Sequence, residues 1–253
     1  MDTFLLSLIS GVFIGGTAAY LGTLMLTRRM ALAAGPLGHL ALPGIALALL
    51  WGVDVSIGAF PFVILGVVLI WLLELRTKLP MEALTAIVFA SGVALAFLFL
   101  PMGQAETALI GDISKASPWG TALSVTASLA IVLTLRHVYL QLVLGNISED
   151  LAVAEGIPFK RNNLLYLFLI AVIVALGVKM VGGLLTAALV AIPPAAARNV
   201  GRNLKQYTWG AMTFGAVSSA LGVLISQGTG WPAGPLIVLT STAIFLITLP
   251  FAK

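Results

Sequence analysis

Nine runs of mostly apolar residues, divided by short polar breaks, occupy almost the whole chain: 4–26, 37–51, 57–73, 81–100, 119–135, 163–178, 183–197, 207–226 and 232–249. A helix that spans the hydrocarbon layer needs about 20 such residues, since each adds 1.5 Å to a layer about 30 Å thick. The pattern therefore predicts an all-α integral membrane protein with about nine transmembrane helices. The second and seventh runs are short and carry Pro43-Gly44 and Pro193-Pro194. Proline removes a backbone donor, so both helices are expected to be kinked or broken. Such breaks survive in a membrane where protein or a water-filled path satisfies the freed carbonyls. Pro43, Gly44, Pro193 and Pro194 are thus the candidates for lining a path through the membrane.

Composition sharpens this picture. Hydrophobic residues make up 60% of the 253 and charged residues 9%, against about 25% charged in soluble domains. So few charges cannot cover a surface in water, and lipid must be the solvent. The runs leave room for a single membrane domain, 1–253, with no catalytic domain beside it. There are no cysteines, which excludes disulfides, thiolate metal sites and cysteine nucleophiles. The first run follows Asp2, has no Lys or Arg before it and is too long for a cleaved signal, so it reads as a retained helix. Charge gives the orientation. With the N-terminus outside and the C-terminus inside, 11 of the 13 basic residues fall on inner loops: Arg28, Arg29, Arg76, Lys78, Arg136, Lys160, Arg161, Arg198, Arg202, Lys205 and Lys253. A multi-pass protein of the cytoplasmic membrane is expected, with the bilayer as its main partner and no nucleic acid.

Two loops exceed simple turns. The outer one, 101–118, contains the run ALIGDIS. The inner one, about 138–162, carries Ser148 followed by Glu149 and Asp150, then small and apolar residues, then Gly156 and Pro158. These are start and stop signals for a helix of about two turns outside the membrane. Ala152 and Gly156, four apart, are expected on one face, where small side chains let another surface approach. Glu149 and Asp150 fit two readings equally: complements to the helix dipole, or a handle for a cytoplasmic partner.

Chemistry is sparse. The chain contains no G-x-x-x-x-G-K-[ST] phosphate loop, no H-E-x-x-H and no G-x-S-x-G, so neither an ATPase site nor another enzyme activity is expected. His39, within GPLGHLALPG, is the one ionisable group in a short membrane run. An intramembrane charge is costly and suggests function; a structural histidine bonded to a carbonyl is the alternative. His137 follows Arg136 and reads as an interfacial residue at the end of the fifth helix.

Four ordered stretches, GPLGHLALPGIALA, ALIGDIS, SEDLAVAEGI and VGGLLTAALVAIPPAAA, resemble the metal-ion permeases of the ABC-3 family, membrane subunits of zinc and manganese importers. The similarity runs from about residue 15 to about residue 200. It implies a type II ABC importer-like permease, with a divalent transition-metal ion as transported substrate and no covalent cofactor. The stretch 148–157, with Ser148, Glu149, Asp150, Ala152 and Gly156, matches the coupling helix that docks on a separate ATP-binding subunit. His39 matches the histidine that helps coordinate the metal. The family also implies a second permease copy in a homodimer and an extracytoplasmic solute-binding protein. One position departs: members commonly carry Asp four residues before the histidine, and here Gly35 stands there. The same architecture serving an iron chelate or a vitamin is the alternative. A stand-alone secondary carrier would not need the 148–157 helix and should hold acids at midplane, where none of the nine convincingly lies.

Overall fold

The computed structural model describes residues 2–27, 39–51, 55–77, 79–99, 117–181 and 186–252. Every described element is helical. In chain order they are α1 (Thr3–Thr27), α2 (Leu42–Trp51), α3 (Val55–Arg76), α4 (Met81–Phe99), α5 (Pro118–Ile147), α6 (Glu149–Ala154), α7 (Phe159–Val181), α8 (Thr186–Val200), α9 (Leu204–Thr229) and α10 (Ala233–Thr248), closed by a 3-10 turn, Leu249–Phe251. Each of the nine expected runs has its helix. Six stretches of the described residues are long and apolar enough to cross a membrane: Thr3–Thr27, Gly58–Arg76, Pro118–Ile147, Phe159–Val178, Leu204–Thr229 and Ala233–Phe251. α2 and α8, at 10 and 15 residues, are too short on their described lengths.

The first helix lies at the centre rather than at an edge. α1 packs against α5, α7, α8 and α9, and most of its residues are buried, from Leu6 to Met25. Two small-residue ladders make this possible: Gly11, Gly15 and Ala19 on α1, and Ala211, Gly215 and Ser219 on α9. A methyl group added to Gly15 would overlap the Ser219 hydroxyl, and one added to Gly215 would overlap the Gly15 carbonyl oxygen. Backbones this close gain dispersion contacts that larger side chains would prevent, which in lipid is a main source of helix association. α2, α3 and α4 form a second group, joined to the rest through contacts of α3 with α7. Large apolar side chains such as Leu65, Leu133, Leu140 and Leu239 point outward, as a lipid solvent allows.

α5 is longer than its apolar run. The run ends at Leu135, yet the helix continues through the sequence RHVYLQLVLGNI to Ile147. Arg136 and His137 face outward while Tyr139, Leu142 and Gly145 face the core, so the extension is amphipathic and hydropathy alone does not reveal it. His137 therefore sits on the exposed side of a helix interior, ten residues before the helix end, and not at its terminus. The connection from α5 to α7 shrinks to Ser148, α6 and the turn to Phe159.

Candidate coupling and translocation site

His39 stands just before α2, half-buried, its ring meeting Phe89 of α4 edge-on at 5.3 Å and 83°. The next residue, Leu40, fills the space over Gly66 of α3 and Gly92 of α4. Residues 40–41 form a turn before α2 begins, so the interruption lies ahead of Pro43-Gly44 and not at the pair itself. Pro43 falls in the first turn of α2, where no intrahelical donor is required and its fixed φ suits the helix. Gly44 meets Gly58 of α3 backbone to backbone. A methyl group at either glycine would overlap the other's carbonyl oxygen. Gly44 is thus explained by helix contact.

Pro193 and Pro194 lie inside α8, which continues through them to Val200 as an unbroken helix, and both are buried. Their missing N–H groups free the carbonyls of Leu189 and Val190, four residues earlier. The Val190 oxygen rests against Gly22 of α1, where any side chain would displace it. Protein, then, covers the carbonyl that Pro194 frees. Pro43-Gly44 and Pro193-Pro194 sit on different helix contacts, the first on α3 and the second on α1. Among the described residues no group of three or more His, Cys, Asp and Glu side chains is placed to hold a metal ion. Gly35, ALIGDIS and the Gly182-Gly183 pair lie outside the described residues.

Helix α6 forms where its signals predict. Ser148 caps it, its hydroxyl accepting from the Leu151 N–H at 3.2 Å, with Glu149 and Asp150 in the first turn. It ends at Gly156 in the left-handed region, φ 73°, with the Gly156 N–H donating to Val153 and the Ile157 N–H to Ala152. That double bond pattern is a Schellman ending, which favours glycine at this place. The expected shared face of Ala152 and Gly156 does not exist. Ala152 is wholly buried against the chain's own helices, and Gly156 lies beyond the helix in open space. The outward side instead carries Leu151 (48% exposed) and Val153 (61% exposed), flanked by Glu149, Asp150 and Glu155. The four-residue spacing was sound for a helix; the helix stops too early for it to apply.

α5, α6 and α7 form one braced hairpin. The Phe159 ring lies directly on Gly145, and the Asn162 amide donates to Gln141 at 2.7 Å. Asn163 donates to the Glu74 carboxylate at 3.2 Å, tying α7 to the C-terminal end of α3. Above the hairpin all four tyrosines of the chain converge on one turn of α1. Tyr20 stacks on Tyr139 at 5.6 Å. The Tyr166 hydroxyl donates to the Leu21 carbonyl at 3.2 Å, and that of Tyr207 to the Thr23 carbonyl at 3.3 Å. Thr23 donates to the Tyr20 carbonyl at 2.6 Å, which leaves its oxygen to accept from Tyr139 at 2.9 Å. This cluster has no local signal in the sequence, because the tyrosines lie 27 to 187 positions apart.

With this geometry in place, likeness to known proteins is informative. The model of the ABC 3 transport family matches residues 1–252. The chain belongs to that family. Among similar family proteins, the manganese import system permease protein ScaB of Streptococcus gordonii is 27% identical over 246 residues, covering 96% of this chain and 88% of the relative. The high-affinity zinc uptake system membrane protein ZnuB of Haemophilus influenzae is 28% identical over 250 residues, covering 96% and 95%. The solved structure of PsaBC from Streptococcus pneumoniae in complex with Fab has a chain 27% identical with a TM-score of 0.84, covering 98% of this chain and 91% of that one. This ABC 3 chain is accordingly a multi-pass membrane transport subunit, as its sequence motifs imply.

Proposed function

We propose that this chain is the permease of an ABC importer that carries a divalent transition-metal ion, manganese or zinc, across the cytoplasmic membrane. The observation that carries this is the match to manganese and zinc import permeases along almost the entire length of both partners. ATP is hydrolysed by separate subunits. They dock on α6, whose exposed Leu151 and Val153 give an apolar patch rimmed by Glu149, Asp150 and Glu155. ATP binding moves α6 and with it the inner ends of the helices. A second permease copy completes the path, and an extracytoplasmic solute-binding protein delivers the ion.

His39 is the proposed metal contact. Imidazole suits zinc and other borderline cations, while the Gly35 position supplies no carboxylate oxygen. The remaining ligands then come from elsewhere, the second copy included. The proposed orientation, N outside and C inside, follows the basic residues. It also puts α6 on the cytoplasmic side, where ATP is.

The test is purification of the tagged permease from membranes with metal analysis and uptake. The expected result is co-purifying ATP-binding subunits and uptake of manganese or zinc that stops when ATP hydrolysis is blocked. Uptake of neither ion, with an ATPase partner present, would reassign the cargo. Absence of any ATPase partner would remove the importer reading altogether.

A further inference from the structure

The turn Tyr20-Leu21-Gly22-Thr23 of α1 meets four other helices with four consecutive residues. Tyr20 and Thr23 engage Tyr139 of α5, Leu21 engages Tyr166 of α7, Gly22 bears on the Val190 carbonyl of α8, and Thr23 accepts from Tyr207 of α9. Two of those helices, α5 and α7, are the arms that carry α6. Tyr139 lies eight residues before the end of α5 and Tyr166 seven residues after the start of α7. The arms run in opposite directions, so both tyrosines sit at about the same depth, roughly 10–12 Å above α6. The arms are braced below by Phe159 on Gly145 and by Asn162 on Gln141, and so shift together when α6 shifts.

The geometry points to a specific role: Tyr139 and Tyr166 are the positioning residues through which motion of the α5–α6–α7 hairpin is passed to α1, with the 20–23 turn as the junction. Buried Leu6, Ile14, Leu21, Leu24 and Met25 pack α1 among its neighbours, and hydrogen bonds add directional ties to the two arms. Each is made to a backbone carbonyl or to Thr23, at a point where the acceptor is buried and water cannot substitute. From the junction, α1 acts on α8 through Gly22, and His39 follows Thr23 by sixteen positions in the sequence. The hairpin grip thus joins the docking helix to the helices proposed to line the path. Tyr207, on α9, holds the same turn from outside the hairpin and belongs to the fixed side of the junction.

This proposal rests on α6 being the ATPase docking element, and one experiment separates the two. The permease and its ATP-binding subunits are reconstituted in vesicles, and ATP hydrolysis and uptake of manganese or zinc, whichever the unaltered complex carries, are read from the same sample. Tyr139→Phe and Tyr166→Phe keep the rings and remove only the hydroxyls. Each is expected to lower ions moved per ATP by about threefold to tenfold, the factor that one or two membrane hydrogen bonds supply. Tyr207→Phe is expected to change hydrolysis and uptake in proportion. Thr23→Val removes the Tyr139 bond from the α1 side, so its effect on the ratio should not add to that of Tyr139→Phe.

An unchanged ratio in Tyr139→Phe and Tyr166→Phe, with the unaltered complex coupled, would overturn the relay and leave the importer reading intact. If the unaltered complex shows no coupled uptake, the importer reading fails and the relay falls with it. Failure of both Tyr139→Phe and Thr23→Val to assemble would make the contact a folding contact and overturn the relay as well.

Discussion

Gly44→Ala is the sharpest probe of the fold, because it sets helix propensity against packing at a position first assigned to the path. The added methyl group would overlap the Gly58 carbonyl oxygen and approach the Phe62 ring at 2.8 Å. Neither is a flexible tip: one is helix backbone and the other an aromatic edge, so α2 and α3 must separate. Such overpacking costs about 1–3 kcal/mol, and a rigid backbone obstacle places this case near the upper end. Alanine recovers about 1 kcal/mol of helix propensity. The net is a loss of about 2 kcal/mol, or roughly 4–8 °C in melting temperature for a chain of this size. Gly228→Ala is the matched control. It lies in α9 with nothing within 4 Å of an added methyl group, and should be neutral or stabilising by up to about 1 kcal/mol. Thermal unfolding of both variants in one detergent, followed by tryptophan fluorescence or a fluorescent-detection gel filtration assay, reads the comparison. A Gly44→Ala protein that melts with or above the unaltered protein would refute the close backbone crossing of α2 and α3.

Leu151→Asp with Val153→Asp should abolish co-purification with the ATPase while leaving the melting temperature within about 1 °C, since both side chains are already exposed; retained binding would move the docking surface elsewhere. Ser148→Ala removes the cap of α6 and should cost about 0.5–2 kcal/mol of local stability, seen as faster amide exchange over 149–154 with α5 and α7 unchanged. His39→Ala should reduce metal uptake with the fold preserved, and unaltered uptake kinetics would leave His39 as a packing partner of Phe89. The chain has no cysteine, so Glu155→Cys provides one exposed label site; reaction with an impermeant maleimide from the cytoplasmic side alone is expected, and reaction from outside would invert the orientation.

Much of the helix inventory was legible. Hydropathy finds α1, α3, α9 and α10 because lipid imposes a strong demand on long uninterrupted spans. The capping signals around Ser148 and Gly156 found α6 because caps are local bonds between residues three to five positions apart. The lower third of α5 escaped the same reading. Arg136 and His137 break the apolar run, but the helix there is held by a buried face of Tyr139, Leu142 and Gly145 that needs only one side to be apolar. The exposure of Leu151 and Val153 was not legible for a related reason: it depends on which way the helix turns against α5 and α7. The α1–α9 contact was visible in principle, in the four-residue spacing of Gly11, Gly15 and Ala19 and of Ala211, Gly215 and Ser219.

By itself the sequence determined that this chain lives in lipid, is built of helices, carries a short capped helix between two long ones, and resembles the ABC-3 permeases. Those are consequences of solvent and of neighbouring residues, and both act along the chain. Only the tertiary structure decided that α1 is the central helix and that Gly44 and Gly22 exist for backbone contact. It also decided that Ala152 faces inward, and that Tyr20, Tyr139, Tyr166 and Tyr207 meet at one turn. Each of these depends on which helix lies beside which. In lipid that choice is made by shape and hydrogen bonds between residues of different helices, from Gly44 and Gly58 to Tyr20 and Tyr139, not by hydrophobicity, which is the same on every side.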